Sequence, residues 1–248
     1  MSGIAIITGG SRGIGATCAR LLATQGYDIA LTYLTNADKA EAVAEDVRAA
    51  GQRAITLQAD MGEEADILRM FETVDRDLGP VTAMINNAGI TGGFARIEDV
   101  DSDVVRSVID TNVTGSILCC REAVKRMSTK FGGAGGVIIN LSSLAAFTGS
   151  PNDYVYYAAS KAAVNVLTVG LAKEVAKDGI RVNAVAPGAA DTDIHADGGQ
   201  PDRPARLAKI LPMGRIATPE EVAATVAFLL SDGASYISGA VVPVTGAA

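Results

Sequence analysis

Residues 3–25 read GIAIITGGSRGIGATCARLLATQ and contain three features in succession. The apolar run Ile4–Ile7 predicts a strand near 3–8 that is buried on both faces, and the pattern of 13–25 predicts a helix. Between them, the glycines of Thr8–Gly15 allow a tight turn and a close approach of the backbone to a pyrophosphate, which the positive end of the helix would stabilise. A glycine-rich turn can be only a tight turn. Its place between the first strand and the first helix nevertheless predicts a dinucleotide site.

The alternation of apolar runs and helical patterns continues to the carboxyl end of the chain. Strands separated by helices indicate right-handed crossover connections and a parallel sheet that is covered on both faces. No internal repeat or linker interrupts the pattern. We therefore predict one domain over 1–248 of the α/β class, a single Rossmann-type doubly wound parallel sheet of about seven strands with helices on both faces. The predicted strands lie near 3–8, 28–33, 53–58, 81–86, 136–142, 180–185 and 240–244, and the predicted helices near 13–25, 37–50, 63–78, 102–130, 155–177 and 219–231.

Composition restricts the partners and the location that we expect. The chain has a net charge of -7 and a pI near 4.8, so a nucleic-acid partner is not expected, because phosphate binding needs a basic face. Neither a signal-peptide pattern nor an unbroken apolar run of about 18 residues is found, so no membrane span is expected. The odd set Cys18, Cys119 and Cys120 is no disulfide framework and favours a reducing, cytoplasmic location. No cluster has metal-ligand spacing, so no metal site is predicted.

The end of the second strand indicates which dinucleotide is preferred. An acidic residue there would hold the adenosine ribose hydroxyls and repel a 2′-phosphate. This chain instead has Tyr33-Leu34-Thr35-Asn36, with no carboxylate before Asp38. Arg12, in the glycine-rich turn, can reach a phosphate, although it could also be only an exposed loop charge. The pattern favours NADP(H), and NAD(H) stays possible.

A second informative region is Asn140–Lys161, NLSSLAAFTGSPNDYVYYAASK. Tyr157 and Lys161 lie four positions apart in the predicted helix and therefore share one face. A neighbouring ammonium favours the phenolate and lowers the pKa of a tyrosine, which makes the phenol usable as an acid or base. The other interpretation is an ordinary exposed pair. Strand alternation alone leaves open which of Ser142 and Ser143 faces the cleft.

Together these motifs resemble the short-chain dehydrogenase/reductase family, and the resemblance covers essentially the whole chain. Within this family, the sequence is most similar to the branch of 3-oxoacyl-carrier-protein reductases and glucose dehydrogenases. The resemblance implies the strand order 3-2-1-4-5-6-7, and it selects Ser143 over Ser142. The motifs that carry it are TGxxxGxG at Thr8–Gly15, Asp60 after the third strand, Asn86-Asn87-Ala88-Gly89 after the fourth, Asn112 in the long helix, Ser143, Tyr157 with Lys161, and Pro187-Gly188 with Thr192.

The resemblance implies a role for each matching residue. Tyr157 would be the general acid or base, and Lys161 would lower its pKa and bind the nicotinamide ribose. Ser143 would hydrogen-bond the substrate oxygen, and Asn112 would hold a water that links Lys161 to solvent. The residues expected to bind the cofactor are Gly9, Ser11, Arg12, Gly13, Ile14, Tyr33, Asp60, Met61, Asn87, Ala88, Gly89, Tyr157, Lys161, Pro187, Gly188 and Thr192.

The expected activity is NADP(H)-dependent hydride transfer between nicotinamide and a small carbonyl or secondary-alcohol substrate. The alternative is a non-enzymatic NADP(H)-binding sensor or scaffold, because a fold does not establish a function. Such a protein would have no reason to keep Asn112, Ser143, Tyr157 and Lys161 together.

An irregular region at about 189–215 interrupts the alternation, with only a short helical pattern near 203–211. Long irregular segments in compact domains are often functional, so we predict a substrate lid, the other interpretation being a surface insertion. His195, the only histidine, falls within it and is given no catalytic role. The resemblance also implies a homotetramer, or a homodimer, formed through the helices at 102–130 and 155–177 and the last strand.

Overall fold

The computed structural model describes residues 3–248, without the side chain of His195, and its centre is one parallel sheet. Seven strands form this sheet in the order β3-β2-β1-β4-β5-β6-β7. The predicted fold class and strand order are therefore confirmed. The strands are β1 (Gly3–Ile7), β2 (Tyr27–Tyr33), β3 (Ala54–Gln58), β4 (Ala83–Asn86), β5 (Gly136–Leu141), β6 (Ile180–Pro187) and β7 (Val241–Val244).

Helices cover both faces of the sheet. The first, second and last helices pack on one face, and the third, fifth and seventh on the other. The helices are α1 (Gly13–Thr24), α2 (Ala37–Ala49), α3 (Glu64–Asp77), α4 (Ser102–Ile109), α5 (Gly115–Met127), α6 (Ala145–Thr148), α7 (Val155–Val175), α8 (Ile194–Asp197), α9 (Arg203–Ala208) and α10 (Pro219–Leu230).

The central strand β1 shows why the apolar runs are continuous. Successive strand side chains point to opposite faces, so Ile4 and Ile6 enter the core under α3 and α5, and Ala5 and Ile7 enter the core under α1 and α10. Because both faces are covered, an alternation of polar and apolar residues would place polar groups in a core. The strand that precedes the glycine-rich turn is thereby fixed on both sides.

The long helix predicted at 102–130 is interrupted. A π-helical turn, Asp110–Thr114, separates α4 from α5, and α5 ends at Met127. Such turns hold one extra residue and occur often at functional sites. Here the turn carries Asn112, whose buried side chain leaves the helix to bind the backbone of Ile90.

The segment 189–215 lies at the carboxyl edge of the sheet. Its first residues are tied to the start of α10, because Asp191 N–H donates to Ala217 C=O and Ala217 N–H donates to Ala189 C=O, both at 2.9 Å. The helical pattern predicted near 203–211 corresponds to α9, and α8 was not predicted. Across residues 3–248, no helix combines the length and apolar character needed to cross a bilayer.

Candidate active site

The glycine-rich turn is held by side chains from two neighbouring strand ends. Thr32 Oγ1 accepts from Gly9 N–H at 3.0 Å, and Thr8 Oγ1 accepts from Asn87 and Ala88 N–H, each at 3.0 Å. The Asn87 amide donates to the carbonyls of Thr8 and Gly9 at 2.8 and 2.9 Å. Asn87 is one of the residues predicted to contact the cofactor. Its side-chain NH2 group is instead bonded to the backbone of the glycine-rich turn and stabilises it.

At Gly15, the amino end of α1 lies so close to the glycine-rich turn that there is no space for a side chain. A Cβ atom on this residue would lie 2.4 Å from the carbonyl oxygen of Gly9 and 2.5 Å from the Asn87 amide nitrogen. Both distances are shorter than a van der Waals contact. The amino end of α1 can therefore sit directly against the turn, and its first N–H groups are available to an anion.

Tyr157 and Ser143 meet at the carboxyl end of β5. Tyr157 is buried in the first turns of α7, and the Ser143 hydroxyl interacts with its phenol, which favours the ionised form. Ser143 Oγ also accepts from Ala145 N–H at 3.1 Å, which fixes the hydroxyl at the start of α6. A substrate oxygen that reached this place would meet two hydroxyl groups.

Lys161 lies one helical turn behind Tyr157 and is buried. Its Nζ donates to the Leu141 carbonyl at 2.8 Å and lies 5.8 Å from the centre of the Tyr157 ring. Burial disfavours the ammonium and lowers the pKa of Lys161 to about 8. At neutral pH most molecules keep the charge.

Burial dominates the pKa of Tyr157 in this structure, and the expectation that Lys161 lowers this pKa stays a prediction. Burial raises the pKa of the Tyr157 phenol above its ordinary value, and the interaction with Ser143 opposes that shift only in part. Burial wins because removing a phenolate from water costs more than the nearby dipoles return. Tyr157 is consequently a neutral phenol at physiological pH, the form that donates a proton.

Asn112 is joined to this group through Ile90 and Ser160. Its Oδ1 accepts from Ile90 N–H at 2.9 Å, and its Nδ2 donates to Ile90 C=O at 2.9 Å and to Ser160 Oγ at 3.0 Å. A Cβ atom on Gly89 would lie 3.1 Å from both Asn112 Oδ1 and Lys161 Nζ, so only glycine leaves this space open. Protein groups engage the Asn112 side chain, and its backbone carbonyl accepts from the Ser116 hydroxyl at 2.8 Å, so a water link would use the second lone pair of that carbonyl.

The neighbouring residues of similar type face elsewhere. Tyr156 donates to the Gly93 carbonyl at 2.8 Å, and Tyr154 accepts from Arg203 at 3.2 Å. Ser142 is buried and donates to the Lys161 carbonyl at 3.3 Å. The structure therefore places the Ser143 hydroxyl near the Tyr157 phenol. The polar groups of Ser142, Tyr154 and Tyr156 bind other partners.

Arg12 lies at the opposite end of the cleft and is paired with the 189–215 segment. Its guanidinium contacts Asp193 at 3.4 Å and Asp197 at 2.5 Å. The hydrogen bond to Asp197 raises the pKa of Arg12. Lys39 Nζ lies 3.6 Å from the same Asp193 oxygen. These cations, with Ser11, Gly13 and Thr192, line an open cavity of about 390 Å³.

The remaining residues predicted to bind the cofactor make different contacts in the structure. Thr192 would contact a Cβ atom on Gly13 at 3.3 Å, so it lies over the glycine-rich turn. Pro187 C=O accepts from Leu144 N–H, which joins β6 to the start of α6. Met61 is the exception, because its side chain packs in the core beside Cys119 and leaves only its backbone for a cofactor. The others are distributed as follows: Ile14 and Tyr33 pack against the core around α1, Asp60 Oδ1 accepts from Gly62 N–H, and Gly188 N–H donates to Val244 C=O.

Sequence reasoning missed an aromatic and cationic cluster above Tyr157. The Tyr154 ring meets the Tyr157 ring edge-on at 5.0 Å and the Phe94 ring at 4.9 Å. Arg203, from α9, lies over Phe94 and Tyr154 and pairs with Asp153 at 2.8 Å. These residues are far apart in the chain, so no local spacing signals their contact. The position of Lys39 in the cavity beside Arg12 was not predicted either.

The part of the chain that the structure describes contains no group of three or more histidine, cysteine or carboxylate side chains placed to hold a metal ion. The polar groups described above are hydroxyls, two ammonium groups, a guanidinium, carboxylates and backbone amides. Such a set can move a proton at a substrate oxygen and bind an anion at the glycine-rich turn.

Comparisons with known proteins agree with this geometry. Residues 9–246 match the family profile described as Enoyl-(Acyl carrier protein) reductase. The uncharacterized oxidoreductase YgfF of Escherichia coli (strain K12) is 48% identical over 243 residues, 98% of each chain. The 3-oxoacyl-(acyl-carrier-protein) reductase FabG of Staphylococcus aureus (strain N315) is 38% identical over 248 residues, which cover 99% of this chain and 98% of that one.

A solved structure is similar over the same length. The short chain dehydrogenase from Burkholderia cenocepacia J2315, in complex with NADP, has a TM-score of 0.89 at 32% identity and covers 98% of this chain and 96% of its own. The predicted resemblance and the prediction of an enzyme are confirmed. The chain belongs to the short-chain dehydrogenase/reductase family of oxidoreductases.

Proposed function

We propose that this protein catalyses the NADP(H)-dependent reduction of a small-molecule carbonyl, or oxidation of the matching secondary alcohol, with Tyr157 as the general acid or base. The observation that carries the proposal is the meeting of the Tyr157 phenol with the Ser143 hydroxyl, one helical turn from the buried ammonium of Lys161. A structural role alone would not require two hydroxyls and an ammonium to converge at a cleft.

The residues at the other end fit a dinucleotide. The close approach at Gly15 leaves room for a pyrophosphate at the amino end of α1. Arg12 and Lys39 line the cavity beside it, which suits the extra phosphate of NADP(H), and the similar Burkholderia enzyme is in complex with NADP. When bound, the nicotinamide would supply or accept the hydride. We propose NADP(H) as the preferred cofactor, with NAD(H) as the weaker one.

The protein would manage the proton and the oxygen. In reduction, Tyr157 donates its phenolic proton to the carbonyl oxygen as that oxygen gains negative charge, and Ser143 donates a hydrogen bond to the same oxygen. The neutral phenol found here is the form that reduction needs. Lys161 then stabilises the phenolate until a proton returns from solvent, with the Asn112 backbone carbonyl as a place for the connecting water.

Substitution of Tyr157 by phenylalanine tests this proposal directly. Consumption of NADPH would be followed with a panel of aliphatic, cyclic and 3-oxoacyl carbonyl compounds. Removal of the acid is expected to lower kcat about 1000-fold and to change the Kd of NADPH less than about threefold. Tyr156→Phe is the matched control, because Tyr156 contacts the Gly93 carbonyl, and its kcat should stay within about threefold.

Two outcomes would contradict the proposal. Equal activity in Tyr157→Phe and the unaltered protein would remove Tyr157 as the acid. Binding of NADPH without turnover of any compound in the panel would instead favour a sensor or scaffold.

We propose that the 189–215 segment is the substrate lid. Arg203, from α9, contacts Phe94 and Tyr154, so this segment already lies against the aromatic group beside Tyr157. Side chains of this group would meet the carbon substituents of the carbonyl, and a small apolar or cyclic substituent is the kind that they would accept. We also propose a cytoplasmic location, because Cys18, Cys119 and Cys120 are free and buried.

We propose a homotetramer. Ile117 on α5 and Val166 and Val169 on α7 are exposed apolar side chains on the two helices where the interface was predicted, and Phe228 and Tyr236 are exposed near the last strand. Exposed apolar residues on two separate faces fit two kinds of contact between copies. Sedimentation equilibrium should give about four times the chain mass of 25.3 kDa, and a monomer at micromolar concentration would contradict the proposal.

A further inference from the structure

Arg203 places a positive charge among the aromatic rings beside the proposed acid. Only 12% of its side chain is exposed, although arginine is mostly a surface residue. The guanidinium lies 4.7 Å from the centre of the Phe94 ring and 5.3 Å from the centre of the Tyr154 ring. The Tyr154 ring in turn meets the Tyr157 ring at 5.0 Å. One aromatic side chain therefore separates this cation from Tyr157.

The contacts of Arg203 leave one of its donors unused. Nη2 lies 2.8 Å from the Asp153 carboxylate and donates to the Tyr154 hydroxyl at 3.2 Å. Nε is buried, and none of the residues that the structure describes accepts a hydrogen bond from it. A buried N–H group without an acceptor is rare and costs free energy, because its hydrogen bond to water has been lost. An acceptor on a bound substrate would remove this cost.

We propose that the carbonyl substrate carries a second, uncharged acceptor oxygen, as an ether, ester, ketone or hydroxyl group does, and that Arg203 Nε donates a hydrogen bond to it. Arg203 is then a specificity-determining residue of the 189–215 segment. The inference rests on the proposed function, because it requires a carbonyl group at Tyr157. It goes beyond that function by naming the class of substrate, a neutral carbonyl compound with one more oxygen.

The ion pair of Arg203 with Asp153 favours an uncharged oxygen over a carboxylate. The Asp153 carboxylate already balances the guanidinium at 2.8 Å. A carboxylate on the substrate would enter next to that aspartate, and two negative charges beside one cation repel each other. A neutral oxygen accepts from Nε without this repulsion, and its removal from water costs less than that of a charged group. The pair thus selects against acidic substrates.

The rings around Arg203 suit the carbon skeleton of such a substrate. Phe94 and Tyr154 present apolar surface on the path from the guanidinium to Tyr157. The spacings of 5.3 and 5.0 Å along this path set the scale over which the substrate extends. A short aliphatic chain or a single carbon ring can therefore join the carbonyl group to the second oxygen.

The test compares ketones that differ in one oxygen atom. Methoxyacetone is paired with 2-pentanone, and each positional isomer of methoxycyclohexanone with the matching ethylcyclohexanone, so that an ether oxygen replaces a methylene group. NADPH consumption by the purified full chain gives kcat/KM. The best methoxy ketone should be preferred about tenfold over its partner, because the partner leaves Nε without an acceptor.

Substitution of Arg203 should abolish this preference. In Arg203→Met the ratio of the two kcat/KM values should lie within about twofold of 1, and the Kd of NADPH should change less than about twofold. The ratio is measured within one protein, so a general loss of stability does not change it. Arg206→Met is the matched control, because Arg206 lies on the same helix, is exposed and donates to Gln200. Its ratio should match that of the unaltered protein within about twofold.

Asp153→Asn tests the selection against charge. With 4-oxopentanoate and its methyl ester, the unaltered protein should prefer the ester about tenfold at pH 7. The variant leaves the guanidinium without its counter-charge, so this preference should fall about fivefold or more. The full chain is used for both compounds, with NADPH consumption as the measurement.

Each contrary result has a distinct meaning. An equal kcat/KM for methoxy and ethyl ketones in the unaltered protein, or an unchanged ratio in Arg203→Met, would overturn the role of Arg203. Preference of the unaltered protein for 4-oxopentanoate would overturn the choice of an uncharged oxygen. In each case turnover that is lost in Tyr157→Phe would leave the proposed function standing. Reduction of none of the pairs would overturn the inference, and only a protein that reduced no carbonyl compound at all would also overturn the proposed function.

Discussion

The two ends of the cleft use opposite physical means to handle charge. At the catalytic end, Tyr157 and Lys161 are buried, and their positions are fixed by backbone and hydroxyl partners. At the phosphate end, Arg12, Lys39 and Asp193 are each about half exposed and are held by exposed ion pairs, including that of Arg12 with Asp197. The first set has pKa values shifted by burial, and the second contains exchangeable ion pairs.

This difference indicates how each end would respond to change. Interactions at buried groups are strong, since few water molecules compete with them, and one lost contact leaves an unsatisfied group. Interactions at exposed ion pairs are weak, so partners can be exchanged without loss of the fold. Chemistry needs the fixed end, and reversible binding of a charged cofactor suits the adaptable end.

After Tyr157→Phe, the largest effect is expected from removal of the Ser143 hydroxyl at the catalytic end. Ser143→Ala removes the hydrogen bond to the substrate oxygen where negative charge develops, and kcat should fall about 100-fold with the Kd of NADPH nearly unchanged. Steady-state kinetics with the best substrate of the panel, together with a fluorescence titration of NADPH, would measure both quantities.

Ser142→Ala is the matched control for this prediction. The Ser142 hydroxyl donates to the Lys161 carbonyl and faces away from the Tyr157 hydroxyl, so kcat should stay within about threefold. A larger loss in Ser142→Ala than in Ser143→Ala would mean that the two serines were assigned in the wrong order.

Much of the fold could be predicted because its signals are local. The apolar run Ile4–Ile7 marks a strand buried on both faces, and the glycines that follow mark a close turn. The helix at 102–130 was predicted without its break, since the π-helical turn depends on a contact between Asn112 and the distant backbone of Ile90. A chain pattern cannot show a contact of that range.

In the candidate site, too, local relations could be predicted and contacts between distant residues could not. The spacing of Tyr157 and Lys161 is fixed by one helix, so the sequence predicts their shared face. The contact of Arg203 with Tyr154 and the contact of Lys39 with Asp193 join residues from separate elements, and only the structure reveals them. The raised pKa of Tyr157 was missed for a related reason, because burial depends on everything that packs around the phenol.

Substitution of lysine by methionine at each end should have a smaller effect, on the free energy of unfolding, and this effect should differ between the two ends. Burial lowers the pKa of Lys161 from its ordinary value of 10.5 to about 8. Below pH 8 the folded chain therefore holds a buried ammonium at a cost that the unfolded chain avoids. Between pH 8 and 10.5 the unfolded chain binds more protons, so the stability of the unaltered protein rises with pH. Lys161→Met should increase the free energy of unfolding by about 1–2 kcal/mol at pH 6.5, and this gain should shrink toward pH 10.

Lys39→Met gives the comparison at the phosphate end, where the side chain keeps its contact with water. Its free energy of unfolding should differ from that of the unaltered protein by less than about 0.5 kcal/mol at both pH values. Urea unfolding of the three proteins at pH 6.5 and pH 10 would supply the numbers, and the loss of the hydrogen bond to the Leu141 carbonyl subtracts from the gain in Lys161→Met. If Lys161→Met lowered stability at pH 6.5, the contact with Leu141 would outweigh the cost of burial. The catalytic end would then be stabilised by its ammonium, and the contrast between the two ends would rest on exposure alone.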